Sequence, residues 1–145
     1  MAWGALAEKR VEFTLAVAAL INKALEMGAS PAINEAKRSD EQAIINAYGQ
    51  LGREKLKFCL TSQGFEDLGS AIGNNGSANG IRNSLHEMGL AVDLLLYNQN
   101  GDYLTDTVAY QTLGEWWEQE YPGKSAWGGR FGDGNHFSFM HGGKK

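Results

Sequence analysis

The run Leu90 to Leu96 alternates with a period of two, Leu90, Val92, Leu94 and Leu96 falling on one face and Ala91, Asp93 and Leu95 on the other. It predicts a buried strand with one carboxylate on its inner wall. An unpaired charge there is costly, so Asp93 requires an explanation, and His86 stands seven residues before it. In one unbroken strand an odd separation sends two side chains to opposite faces, and in one helix seven residues rise about 10 Å. The chain therefore has to bend between them, and Gly89 supplies the bend.

With that bend, His86 and Asp93 can reach one point, and the pair suits a zinc site. Near the C-terminus, Gly132-Asp133-Gly134-Asn135-His136 offers a second histidine with an acid three residues earlier, on a glycine-loosened turn. Two histidines and one carboxylate leave the fourth position of zinc to water, whose pKa falls to about 7. Asp133 is then placed to accept the proton as the water attacks a peptide carbonyl. The charge that develops on that carbonyl needs a cation, and Arg38, at a strand-to-helix junction, is the candidate.

The remaining elements suggest an α+β fold in which helices flank a small antiparallel sheet. A first helix is expected from about Leu6 to Met27, its apolar stripe being Val11, Leu15, Ala18, Ile21 and Leu25, with Gly28 as its stop. A strand over Ala32 to Ala36 precedes a capping box, Ser39 with Gln42, that opens a helix ending at Gly49. Leu56 to Leu60 reads as a short strand, and Gly69 to Gly80 as a loop on the rim of the cleft. A last helix starts at Asp106 or Thr107 and runs to about Glu120, and His136 to Phe139 forms a final strand. Trp116, Trp117 and Trp127 are read as core aromatics.

At 145 residues the chain is expected to form one domain, 1–145, with an ordered core of about 6–139 and a short solvated tail that includes His141. A net charge of -4, with no strong Lys/Arg cluster before Lys144-Lys145, argues against nucleic acid as a partner. No apolar run is long enough to span a membrane, and the apolar stretch Phe13 to Ile21 reads as helix rather than export signal. The one cysteine, Cys59, excludes an internal disulfide or a finger-type zinc site; flanked by Phe58 and Leu60, it reads as buried filler rather than a nucleophile. His86-Glu87 begins like the helical zinc motif H-E-x-x-H, but Leu90 occupies the second histidine position.

The segment Ser84-Leu85-His86-Glu87-Met88-Gly89-Leu90-Ala91-Val92-Asp93-Leu94 resembles the S-x-H-x-x-G-x-A-x-D signature of the zinc D-alanyl-D-alanine carboxypeptidases, the VanY-like peptidases. Asp133 with His136 is similar to their second motif, and Arg38-Ser39-Asp40-Glu41-Gln42 to their R-S-x-x-Q segment. The resemblance implies the fold shared with Hedgehog signalling domains, a Zn2+ cofactor, Ser84 at the substrate and bacterial peptidoglycan stem peptide as partner. The second motif departs from the carboxypeptidase branch, with Asp133 for the usual Glu and Asn135 where Trp is frequent. In this it resembles phage endolysins that hydrolyse the L-alanyl-D-glutamate bond. The expectation is a monomeric lytic endopeptidase, held in the host bacterial cytoplasm until the membrane is permeabilised. A D-alanyl-D-alanine carboxypeptidase is the alternative within the family, and a zinc-containing binding module of the same fold the non-enzymatic one.

Overall fold

The structure, a computed structural model, describes residues 4–38, 54–55, 57–64 and 84–145. The capped helix expected over Ser39 to Gly49 and the loop over Gly69 to Gly80 lie outside these residues. The chain enters with helix α1, Ala5–Glu26. Its C-terminus closes in a Schellman turn: Gly28, at φ 81°, donates to the Leu25 carbonyl and Ala29 to that of Ala24.

The inward face of α1 differs from the expected stripe. Phe13, Ala16, Leu20 and Ala24 are buried, whereas Leu15 is 69% and Leu25 54% exposed. Both sets have steps of three and four residues, because this helix is apolar over much of its circumference. Periodicity then leaves the face open, and packing decides it: Phe13 meets Trp117 and Phe139 edge-on, at ring-centroid distances of 6.2 and 5.3 Å.

Strand β1, Ser30–Glu35, follows, and then β2, Ala91–Tyr97. Helix α2, Gln111–Glu120, is preceded by a 3-10 turn at Thr107–Tyr110. Strand β3, Ser125–Trp127, a second 3-10 turn at Gly128–Phe131 and strand β4, His136–Phe139, complete the described elements. The four strands form one antiparallel sheet in the order β1-β2-β4-β3, so the architecture is α+β with helices against a small sheet. Pro31 is tolerated because β1 is an edge strand. Residues 57–62 are helical rather than extended, and Cys59 is exposed there beside Phe58, which is 73% exposed. Apolar neighbours in sequence do not bury a helical residue, since each step turns the side chain by about 100°.

Trp117 of α2 is the centre of the core. Its ring stacks on Phe139 at 5.4 Å, and its indole N–H lies 3.2 Å from both the Ala126 and Ser138 carbonyls. The Ser125 hydroxyl reaches the Trp117 and Tyr121 carbonyls at 2.9 Å, satisfying acceptors at the end of α2. At the other end of the sheet the chain is tied rather than trailing: His141 and Lys144 exchange backbone hydrogen bonds across Gly142-Gly143, both at positive φ, and the Lys9 ammonium donates to the Met140 carbonyl.

Trp127 lies in a slot that glycine has to line. A Cβ on Gly114 of α2 or on Gly129 would overlap the indole ring. The ring N–H in turn donates to the Gly134 carbonyl at 2.7 Å, so this slot positions the turn that leads into β4. Gly114→Ala is expected to cost about 1–3 kcal/mol by overpacking. A urea midpoint that falls with an unchanged m-value would show it; a midpoint equal to that of the parent chain would refute the slot as a constraint.

Candidate metal centre

Residues 84–90 form a single helical turn capped at both ends. The Ser84 N–H donates to the Glu87 carboxylate at 2.7 Å, and the Glu87 N–H points back at the Ser84 hydroxyl at 3.4 Å, a capping box. At the other end Gly89, at φ 70°, donates to the His86 carbonyl and Leu90 to that of Leu85, a Schellman closure sealed by the buried Leu85 and Leu90. The bend thus sits at Gly89. The Arg10 guanidinium braces it from α1 through a 2.6 Å bond to the Met88 carbonyl. His86 projects from the middle of this turn and is 5% exposed.

The sheet register brings in the other two residues. Asp93 of β2 pairs directly with His136 of β4, so the two side chains leave the same face side by side. The His136 Nδ1 and the His86 Nε2 lie 3.1 and 3.2 Å from the same Asp93 oxygen. The three ligand atoms fall within 4.8 Å of one another. Two imidazole nitrogens and a carboxylate oxygen suit Zn2+ and leave room for a fourth ligand.

The outer shell fits that assignment. The Nδ1 of His86 lies 3.0 Å from the Ala36 carbonyl, which can only accept, so Nδ1 carries the proton and Nε2 faces the carboxylate. Burial alone would raise the Asp93 pKa, but hydrogen bonds from His136 and His86 and their charges bring it down to about 2. Burial pulls the His86 pKa down, yet the hydrogen bond and charge of Asp93, with the Ala36 carbonyl and Glu35, raise it overall. The cluster therefore favours a positive charge between its rings, which a proton or a metal ion can supply.

Asp133 follows Gly132, which is left-handed at φ 86°, and its carbonyl accepts the His136 N–H at 3.2 Å. Gly128 floors this turn: its carbonyl accepts the Asp133 N–H, and a Cβ there would lie 2.7 Å from that of His136. The Asp133 residue surface is open to solvent, while partial burial of its carboxyl, helped by the charge of Asp93, pushes its pKa above the ordinary value against the pull of the two histidines. An exposed Phe131 ring stands 6.3 Å from that of His136.

Arg38 is not a free cation. Its Nε and Nη2 form a fork on the Glu35 carboxylate at 2.7 and 2.5 Å. Its backbone N–H donates to the His86 carbonyl at 3.1 Å, so the arginine runs beside that candidate ligand. The Ser84 hydroxyl is placed in its own turn. Sequence reasoning missed Glu35, the Ala36 carbonyl and the Trp127 slot. The three-residue step from Glu35 to Arg38 was visible, but the bulge that turns Glu35 towards Asp93 was not.

Comparison with family models and with curated proteins gives no match. Four solved chains match in fold. One is the vancomycin-resistance D,D-pentapeptidase VanY of a VanB-type resistance cassette, solved as a Glu-to-Ala variant in complex with Zn(II). It is 15% identical, with a TM-score of 0.51, over 90% of this chain and 72% of that one. The chain thus has a VanY-like peptidase fold.

The titration of the cluster gives a signed expectation. Asp93 has a depressed pKa, so without metal its contribution to stability is present above 3.8 and lost as pH falls towards about 2. His86 has a raised pKa, so its contribution is present in full below 6.5 and lost as pH rises through the raised value. The metal-free cluster stabilises most between 3.8 and 6.5. A metal has to displace the His86 proton, so the zinc-induced rise in Tm should grow with pH through 6.5 and above. Melting with zinc and with chelator across about pH 5–8 measures this; a zinc increment independent of pH would rule it out.

Proposed function

We propose that this chain is a zinc-dependent peptidase of bacterial peptidoglycan, an endopeptidase that hydrolyses the L-alanyl-D-glutamate bond of stem peptides. The observation that carries the metallopeptidase reading is the convergence of His86, Asp93 and His136 within 4.8 Å, with Asp133 in the turn that feeds His136. Zn2+, when bound by these three residues, supplies Lewis acidity that acidifies water and polarises a peptide carbonyl.

Asp133 is the general base. Its raised pKa strengthens it as a proton acceptor, which takes the proton from the attacking water and passes it to the leaving amine. Arg38 meets the negative charge that develops on the carbonyl oxygen or binds substrate. Ser84 is assigned to the substrate side, at the start of the turn that holds His86. The choice of scissile bond rests on Asp133 in the second motif.

A second reading, a D-alanyl-D-alanine carboxypeptidase, is favoured by the likeness to a D,D-pentapeptidase. The products separate the two: new N-terminal D-glutamate marks the endopeptidase, and free D-alanine the carboxypeptidase. Asp133→Asn is expected to lower kcat by roughly 100- to 10,000-fold while zinc content stays equal to that of the parent chain. Metal analysis and digestion of purified wall peptides, with and without chelator, measure both. Cleavage unaffected by the substitution, or new glycan reducing ends, would overturn the proposal.

A further inference from the structure

The Glu35–Arg38 pair lies against the metal ligands without being one of them. The pairing of β1 with β2 runs in step from Ser30↔Tyr97 to Ile33↔Leu94 and then slips, so that Glu35 rather than Asn34 stands opposite Asp93. Such a bulge turns a side chain to the other face of the strand, here from the face of Ile33 and Leu94 to the face of Asp93. The carboxylate so placed meets Arg38 through both oxygens, and the two side chains are 26% and 12% exposed, less open than an ordinary surface pair. The fork holds both charged: the hydrogen bond to Arg38 lowers the Glu35 pKa, and the bond to Glu35 raises that of Arg38.

We propose that Glu35 is a positioning residue: it holds Arg38 by its forked edge, so that the arginine meets substrate as a donor to one developing oxyanion and not as a clamp for a substrate carboxylate. The inference rests on the peptidase reading above, in which Arg38 faces the reacting carbonyl. A guanidinium has five N–H donors, and two of Arg38 are committed to Glu35. A substrate carboxylate is left the end-on Nη1–Nη2 edge of the guanidinium, and it would bind there beside the negative charge of Glu35. It would also approach the charges of Asp93 and Glu87, which already act on Arg38. A single oxyanion needs only the remaining donors. Residues 35–38 hold His86 as well, through the Ala36 carbonyl and the Arg38 N–H, so the cation and the metal ligand keep a set relation. This favours an internal peptide bond over a chain-terminal residue as substrate.

The test uses the zinc-loaded full chain and the nearly isosteric Glu35→Gln, with 15N NMR of the Arg38 Nε–H and a double-mutant cycle with Arg38→Ala on wall peptides. A resolved, slowly exchanging Nε–H is expected in the parent chain and a solvent-averaged one in Glu35→Gln, with zinc content unchanged. The kcat of Glu35→Gln should fall about tenfold with KM within about twofold, and the substitution should cost nothing further in the Arg38→Ala background. Equal protection of the Nε–H in both proteins, or the same loss of kcat with and without Arg38, would overturn the proposal. Arg38→Lys keeps the charge and loses the fork, so unimpaired turnover in that variant would also overturn it. If the parent chain cleaves no wall peptide, the peptidase reading fails, and the Nε–H measurement by itself still decides whether Glu35 holds Arg38.

Discussion

Everything at the centre of this molecule depends on how the charge of Asp93 is answered inside a sheet. Val92 and Leu94 on either side of it are buried, and its strand is covered by hydrogen bonds on both edges. A carboxylate in that setting is costly unless partners surround it. Here one oxygen receives both histidines, one from the next strand and one from the capped turn before its own. The register of β2 on β4 is therefore as much an electrostatic requirement as a packing one. Slipping β4 by one residue so that Phe137 faced Asp93 would set the polar ring of His136 opposite Leu94, on the core face, and leave the carboxylate against a phenyl ring.

The two motifs are held by different physics. Local hydrogen bonds hold the first: a capping box and a Schellman closure complete one turn of helix within residues 84–90. Long-range packing holds the second. Trp127 fits between Gly114 and Gly129, its indole N–H fixes the Gly134 carbonyl, and Gly128 gives the Asp133–His136 turn its floor. One motif is thus held mainly by contacts within itself, and the other by contacts to α2 and β3. The two meet across the β2–β4 ladder.

Legibility in the sequence follows that division. The strand with an inward Asp93, the bend at Gly89 and the closing strand at His136 could be read because alternation and glycine act over a few residues. The inward face of α1 could not, since two apolar stripes with equal spacing competed and only the aromatic cluster of Phe13, Trp117 and Phe139 chose between them. β3 was missed because three residues carry no usable period, and the helical setting of Cys59 because a short apolar run is ambiguous between helix and strand.

The sequence by itself determined the inventory: which residues can ligate, where the chain must bend, and that the elements are helices around a small sheet. Those properties belong to residue types and short spacings. The tertiary structure decided which side chains share a point, placing His86 and His136 on one oxygen of Asp93, and it set Glu35 on Arg38 through a bulge in an edge strand. Register and bulge arise from the pairing of segments far apart in sequence, Glu35 with Asp93 and Asp93 with His136, and no local pattern encodes that pairing.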